Sequence, residues 1–375
     1  MISTEKYVVV TPFFPSRNSF VGSYIYDQIR ELNNQLNFEF VIIKLVSMFS
    51  KEIDYKFKEY KVFIFKVYDF PSFILPGIFN KFNKKRFNNF LHRRKINNIK
   101  FLHGHVSYPA AYLISEFQTH KFIQHHGLDV LQLKNGRIGF VRTLQRSFLI
   151  NNSINHLNKI DLNIGVSKKV LNELNQYSNY KPIKETVLYN GVNTSKFFNL
   201  EKHKNEIFTI GCVANFWKIK DHITLIKSVE FLYHQGIDVK VRIIGSGGTL
   251  KKCQKYVNSK FLTHIFKFEK ELPHELLNDF YNQIDIFVLP SYYEAFGCVY
   301  LESWATNTPF IAVNDQGISE LLSDEYKERL LIAKSDYLDL AKKIIHLYEN
   351  PLDFKFDDNF EISKLIGDFK QKFLL

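Results

Sequence analysis

The stretch "IDIFVLPSYYEAFGCVYLES" (Ile284–Ser303) runs from an apolar segment through a loop and a glycine into a second mixed segment. "IDIFVLP" reads as a buried strand, and the residues after Gly297 read as a helix. Glu294 then falls in the loop at the strand end, and Glu302 about two turns into the helix. Two acids so placed can face one cleft. Gly297 lets the backbone near the helix start approach a ligand. Carboxylates accept hydrogen bonds from sugar hydroxyls, and a helix start favours negative charge. A sugar on Glu294 with a phosphate on the N–H groups of Phe296 to Cys298 is chemically coherent. Two acids eight positions apart are also a common accident, so the remaining chain has to test this reading.

Working outward, the same strand–helix rhythm repeats. Strands "FTIGCVA", "DVKVRIIGSGG", "HIFKFE" and "PFIAVN" alternate with helices "DHITLIKSVEFLYHQG", "TLKKCQKYVNSK", "PHELLNDFYNQ", "YLESWATN" and "GISELLS". This is a βα repeat and predicts a mostly parallel sheet. Upstream, "KYVVVTPFF", "FEFVIIKLVSM" and "YKVFIFKVY" read as strands, with a helix over "SYIYDQIRELNNQL". "THKFIQHHGLD" and "DLNIGVSKKVLNEL" each join a short strand to a loop, and Ser167 suits a helix cap. A turn-rich, polar stretch between Glu185 and Phe216 marks a domain junction. The 375 residues exceed what one hydrophobic core usually serves, which also predicts two domains. Residues 1–190 form the first and residues 191–350 the second; residues 351–375 end in an amphipathic helix expected to pack back on the first. Two such sheets would leave a ligand cleft at the C-terminal ends of their strands.

Composition narrows the class. Hydrophobic residues are 45% and charged residues 23%, as in a soluble globular protein. Three cysteines without metal spacing favour a reducing compartment. No run reaches the roughly 20 apolar residues of a membrane span, and the N-terminus lacks a signal-peptide run. A cytoplasmic protein is expected, either free or at the inner face of the cell membrane. The net charge of +12 has a focus: residues 81–100, "KFNKKRFNNFLHRRKINNIK", carry eight Lys or Arg and no acid. Their simplest reading is a solvated helix. The functional alternative is contact with anionic lipid headgroups or a phosphorylated acceptor, beside the apolar "FPSFILPGIF" (Phe70–Phe79). Nucleic acid is not expected, because no binding motif accompanies the patch.

Other local signals are individually weak. "IIGSGG" (Ile243–Gly248) leaves a strand and opens a helix, so Gly245 suits either a tight turn or an anion. "NFWKIKDH" puts Lys218 and Lys220 beside a strand end, as solvent-facing residues or as diphosphate ligands. "HGHVSYPAAY" and "QHHGLDV" supply His103, His105, His125 and His126, near His120. No acid or cysteine supports them at ligand spacing, so a metal site is not expected.

Taken together and in order, these motifs resemble the GT-B glycosyltransferases of family 4. "EAFGCVYLESWATNTPFIAVNDQGISELL" resembles that family's Glu-x-Phe-Gly … Glu-x-x-Ala region and the following Gly-x-x-Glu. "YNGVNTSKF" resembles its interdomain signature, with Asn193 where Asp is usual, and "PSRNSFVGSYI", "HGHVSYP", "HHGLD", "NIGVSKKV" and "IIGSGG" follow suit. The resemblance implies two Rossmann-like α/β/α domains facing across a deep cleft, and a retaining hexosyltransferase that needs no metal. It implies that Glu294 contacts the donor sugar and Glu302 the ribose. Phe296, Gly297, Cys298 and Val299 would lend backbone to the diphosphate and sugar. Lys220 matches the diphosphate lysine; its partner arginine is Asn215 here, so either Lys218 or a first-domain residue compensates, or the donor phosphate is held less tightly. Lys270 replaces a glycine near the base, which leaves UDP or GDP open. Gly22 would meet the phosphates and His126 would line the catalytic cleft. His103, His105, Asp129 and Arg137 are acceptor-side candidates for a saccharide or lipid-linked saccharide, as in bacterial lipopolysaccharide or capsule assembly by a peripheral membrane enzyme. The alternatives are a catalytically silent nucleotide-sugar binder or partner protein, and a nucleotide-sugar hydrolase or epimerase on the same fold.

Overall fold

A computed structural model describes residues 5–17, 19, 21–68, 78–127, 142–201 and 205–375. Asp129, Arg137 and most of "FPSFILPGIF" lie outside the described residues. The chain divides into two compact units: Met1–Asn190 with Ile366–Leu375, and Gly191–Leu365.

The first unit is an eight-stranded sheet in the order β3-β4-β2-β1-β5-β6-β7-β8. Its strands are β1 (Lys6–Thr11), β2 (Glu39–Ser47), β3 (Tyr55–Phe57), β4 (Tyr60–Val67), β5 (Ile99–His105), β6 (His120–His125), β7 (Leu162–Gly165) and β8 (Glu185–Val187). All neighbours run parallel except the β3–β4 hairpin. The centre of the sheet is occupied by β1, every residue of which is buried, as an apolar run covered on both faces should be. Connections are made by α1 (Ser23–Gln35), α2 (Asn80–Arg93), α3 (Arg142–Leu157) and α4 (Lys168–Asn175). Ser167 caps α4, its hydroxyl accepting from Val170 N–H. The basic stretch forms α2 up to Arg93 and then enters β5 at Ile99, with Phe87 and Leu91 buried and Phe82 exposed.

The second unit is a six-stranded parallel sheet, β11-β10-β9-β12-β13-β14. Its strands are β9 (Phe208–Val213), β10 (Val239–Ile244), β11 (Phe266–Glu269), β12 (Ile286–Leu289), β13 (Phe310–Val313) and β14 (Leu331–Ile332). The helices are α5 (His222–His234), α6 (Leu250–Ser259), α7 (Leu277–Tyr281), α8 (Cys298–Ala305), α9 (Asp324–Leu330) and α10 (Tyr337–Glu349). Two expectations change. "GISELLS" is only a short 3-10 turn over Gly317–Leu321, because the backbone on either side is extended. Helix α8 begins at Cys298, so Glu302 lies just over one turn in rather than two.

The last helix, α11 (Ile362–Phe373), crosses the boundary, and its residues from Ile366 belong to the first unit. Phe369 packs edge-on against Phe122, and Lys370 Nζ donates to Gln35 O at 2.8 Å.

Candidate active site

In the second unit the residues of interest gather where β9, β12 and β13 end. Strands β9 and β12 are neighbours, which brings their following loops together. Tyr292 N–H donates to Ile219 O at 2.8 Å, tying one loop to the other. Across that tie Lys220 Nζ donates to Glu294 Oε1 at 2.5 Å. The two side chains are only 22% and 12% exposed, so water screens this ion pair less than one on the surface.

The Glu294 loop is held by its backbone as well. Glu294 N–H donates to Gln316 Oε1 at 2.6 Å, and the buried Gln316 amide donates to Asn314 O at 3.0 Å. Gly317 N–H reaches Glu294 O at 3.3 Å. A Cβ on Gly317 would stand 2.0 Å from Ala295 O, so only glycine lets the two segments touch. Gly297 takes φ 85°, a left-handed conformation that favours glycine, and starts α8 with no side chain capping it. Phe296 beside it is buried, while Cys298 and Val299 are half-buried.

The glycines of "IIGSGG" serve close packing. A Cβ on Gly245 would lie 2.1 Å from Ala214 O, and Phe216 N–H donates to Ser246 O at 2.7 Å. Gly245 N–H itself donates to Glu269 O at 3.1 Å. The run thus fastens the loop after β10 to the Ala214–Phe216 backbone. Asn215 and Lys218 are exposed on that neighbouring loop.

Glu302 is buried and both its oxygens are engaged. Tyr281 Oη donates to Oε2 at 2.9 Å, and His274 Nε2 lies 3.1 Å from Oε1. Burial, then the Glu302 charge, pushes the Tyr281 hydroxyl well above its ordinary value, so it stays a donor. Gln316, Tyr281 and His274 were not singled out from sequence. His274 and Tyr281 meet Glu302 only through packing, and a lone Gln carries no signal.

In the first unit Gly22 and the histidines collect at the ends of β1, β5 and β6. Gly22 starts α1 with φ 90°, and a Cβ there would be 2.7 Å from the Phe13 carbonyl carbon. Tyr24, two residues on, has its ring 5.0 Å from the His126 ring. His103 and His105 alternate along β5 and so share one face. Their rings stack at 4.5 Å, and His105 stacks on His126 at 5.2 Å. Tyr7 Oη meets His103 Nδ1 at 2.8 Å, and His105 Nδ1 meets His126 Nε2 at 2.9 Å. Burial lowers His103 to about 3 and His105 well below 6.5, so both rings are neutral. His125 points elsewhere, to Asn163 Oδ1 at 3.1 Å. Among the described residues no group of three His, Cys, Asp or Glu could hold a metal ion.

Comparison with known proteins fits this geometry. Residues 193–362 match the family described as glycosyl transferases group 1. An uncharacterized glycosyltransferase of Methanocaldococcus jannaschii is 28% identical over 73% of this chain and 70% of its own length. The capsular polysaccharide biosynthesis glycosyltransferase CapM of Staphylococcus aureus is 30% identical over 41% of this chain and 42% of its own. Among solved structures, sucrose-phosphate synthase from Thermosynechococcus elongatus superposes with TM-score 0.75 at 15% identity, over 99% of this chain and 98% of that one. Anabaena HepE, in complex with UDP and glucose, superposes with TM-score 0.69 at 13% identity, over 97% and 98%. With two parallel-sheet Rossmann-like units, the fold is GT-B. Through residues 193–362 the chain is similar to the glycosyl transferases of group 1, and its relatives in that comparison are glycosyltransferases.

Proposed function

We propose that the protein is a retaining transferase that moves a hexose-type sugar from a nucleotide-diphosphate donor, UDP- or GDP-linked, to a saccharide or lipid-linked saccharide. The observation that carries this is the part-buried Lys220–Glu294 pair beside the glycine-started helix α8. Lys220 supplies positive charge for a departing diphosphate, and the start of α8 adds its dipole. Glu294 accepts from sugar hydroxyls, and Glu302, whose oxygens each keep a second lone pair, accepts from a ribose. In this reading the acceptor hydroxyl attacks the face from which the diphosphate leaves, and the leaving phosphate takes its proton. Positioning and charge stabilisation are the protein's share, and no metal is required. HepE was solved with UDP and glucose, which supports a UDP sugar as the first donor to try.

A role in surface-polysaccharide assembly at the cytoplasmic face of a membrane extends the proposal, and the name of CapM supports it. None of the helices among the described residues is long and apolar enough to cross a membrane. Peripheral contact would instead use residues 81–100. Phe82 at 49% exposure and Ile53 at 77% line an open groove of about 820 Å³ with Arg86, Arg93 and Arg94. Exposed apolar side chains beside cations suit an anionic lipid surface.

Calorimetric titration with UDP- and GDP-sugars tests the donor site. Selective binding, weakened at least about tenfold in both Glu294→Ala and Lys220→Ala, is expected from loss of a charge-assisted contact. Binding indifferent to both substitutions would overturn the assignment. Intact binding without any transfer would favour a silent binder, to which the uncharged Asn215 also points. Free sugar as the main product would favour a hydrolase.

A further inference from the structure

We infer that Asp221 is a positioning residue for Lys220, its buried carboxylate binding the loop after β14 to the turn that carries the lysine. The chemical role of Lys220 rests on the function proposed above; the support from loop to loop does not.

Lys220 sits in a short 3-10 turn, Lys218–Lys220, and Asp221 ends that turn with φ 47°. A left-handed backbone at a residue other than glycine has to be held by its surroundings. An aspartate at the start of a helix ordinarily caps it, its side chain accepting from a backbone N–H of the first turn. Asp221 starts α5 but makes no such cap. Its side chain is buried and turns to two hydroxyls instead. Thr224 Oγ1 donates to Asp221 Oδ2 at 2.7 Å, and Ser335 Oγ donates to the same oxygen at 3.0 Å. Ser335 is 114 residues away in the chain, in the loop after β14, and is itself left-handed at φ 60°. Hydrogen bonds to a charged acceptor are among the stronger ones a protein makes.

Tyr292 completes the arrangement from the loop after β12. Its N–H donates to Ile219 O, inside the Lys220 turn, at 2.8 Å. Lys334, beside Ser335, holds its Nζ 4.6 Å from the centre of the Tyr292 ring. Burial, and after it the Asp221 charge, raises the Tyr292 hydroxyl above its ordinary value, so a neutral O–H faces the carboxylate. The loops after β9, β12 and β14 thus meet on Asp221 and Tyr292. The turn is gripped at Ile219 and at Asp221, the residues on either side of Lys220. A lysine whose backbone is already fixed loses less freedom when it meets a diphosphate than one on a free loop.

Hydrogen exchange read by mass spectrometry on the whole protein, without ligand, tests the support. Ser335→Ala removes one hydroxyl and leaves residues 215–222 unaltered, so any change there is transmitted between loops. The Lys220 and Asp221 amides donate to Trp217 O and Lys218 O. Their exchange should quicken about five- to tenfold, the worth of one hydrogen bond to a charged group. Ser335→Gly, which suits the left-handed backbone, should do the same. An effect of Ala alone would trace to backbone strain, and either that or no effect at all would overturn the inference. Kinetics test the route through Lys220. Ser335→Ala should lower kcat about five- to tenfold, and should lower it no further when added to Lys220→Ala. Additive losses would also overturn the inference, because Ser335 would then act elsewhere. At position 221 itself, Asn keeps an acceptor oxygen and tolerates the left-handed backbone, whereas Gly keeps only the backbone. Asp221→Asn should therefore lose clearly less kcat than Asp221→Gly, and equal losses would count against the carboxylate. Quickened exchange with kcat untouched would strike Lys220 from the proposed function and leave the Asp221 support standing.

Discussion

The two units arrange polar side chains at the same place, the C-terminal ends of parallel strands, by opposite electrostatic means. The second unit uses opposite charges on half-exposed loops, Lys220 against Glu294. The first uses imidazole rings, the neutral His103 and His105 with His126 stacked beside them. The charge pair is part-buried, and its two members offset part of each other's desolvation cost. Neutral imidazoles tolerate burial because they give up their charge instead. Under the proposed function, the first unit would orient substrate and the second would stabilise charge.

The sharpest way to break this comparison is to remove the charge. Glu294→Ala or Lys220→Ala should lower kcat by about 10²–10³-fold, the scale of one lost electrostatic contact to a transition state. A steady-state assay that finds less than about a threefold change would deny the second unit its part.

Next comes the backbone that carries Glu294. Gly317→Ala forces a methyl group against Ala295 O and should push the Glu294 loop aside, at a cost of about 1–3 kcal/mol in stability. Nucleotide-sugar affinity should drop with it. Unchanged affinity would mean that this loop position does not matter to the donor.

The third test is pH. An unfolded histidine titrates near 6.5, whereas burial lowers His103 to about 3, and burial with Lys84 and Lys159 lowers His156 to about 4. Between those values the unfolded chain binds protons that the folded unit refuses. Stability contributed by these rings is present above about pH 6.5 and lost as pH falls towards 4. The second unit has a counterpart in His222, lowered by burial to about 4 and stacked on Phe216 at 4.0 Å rather than on another imidazole. Pulse proteolysis in urea at pH 7 and pH 5 should show the first unit losing more stability than the second; equal losses would count against a special role for the ladder.

The smallest effect is expected at the helix cap in the first unit. Ser167→Ala removes the hydroxyl that receives Val170 N–H and should cost about 1 kcal/mol. Urea unfolding of the first unit measures it, and catalysis by the second unit's charges should be indifferent.

The parts of the chain that could be read in advance were those written locally. Glu294, Gly297 and Glu302 lie within nine residues on one strand–loop–helix segment, and Ser167 stands directly before the helix it caps. Strand periodicity likewise located β2, β4 and β9 to within a residue of their observed ends, and β1 at its start. The short elements escaped: β3 and β8 have three residues each, too few for a pattern to stand out. Helix α3 was also not anticipated, and the turn over Gly317–Leu321 was read as a helix.

The alternation of strands and helices and the local charge and glycine pattern of the second unit are legible along the chain, because periodicity and turn chemistry act between near neighbours. Only the tertiary structure decided which distant groups meet. Lys220 reaches Glu294 because β9 pairs with β12, and Tyr7 reaches His103 because β1 pairs with β5. His105 reaches His126 because β5 lies beside β6, with His105 opposite Gln124. Strand order and register are properties of the packed sheet, settled by which apolar faces bury together, and no stretch of the chain carries them alone.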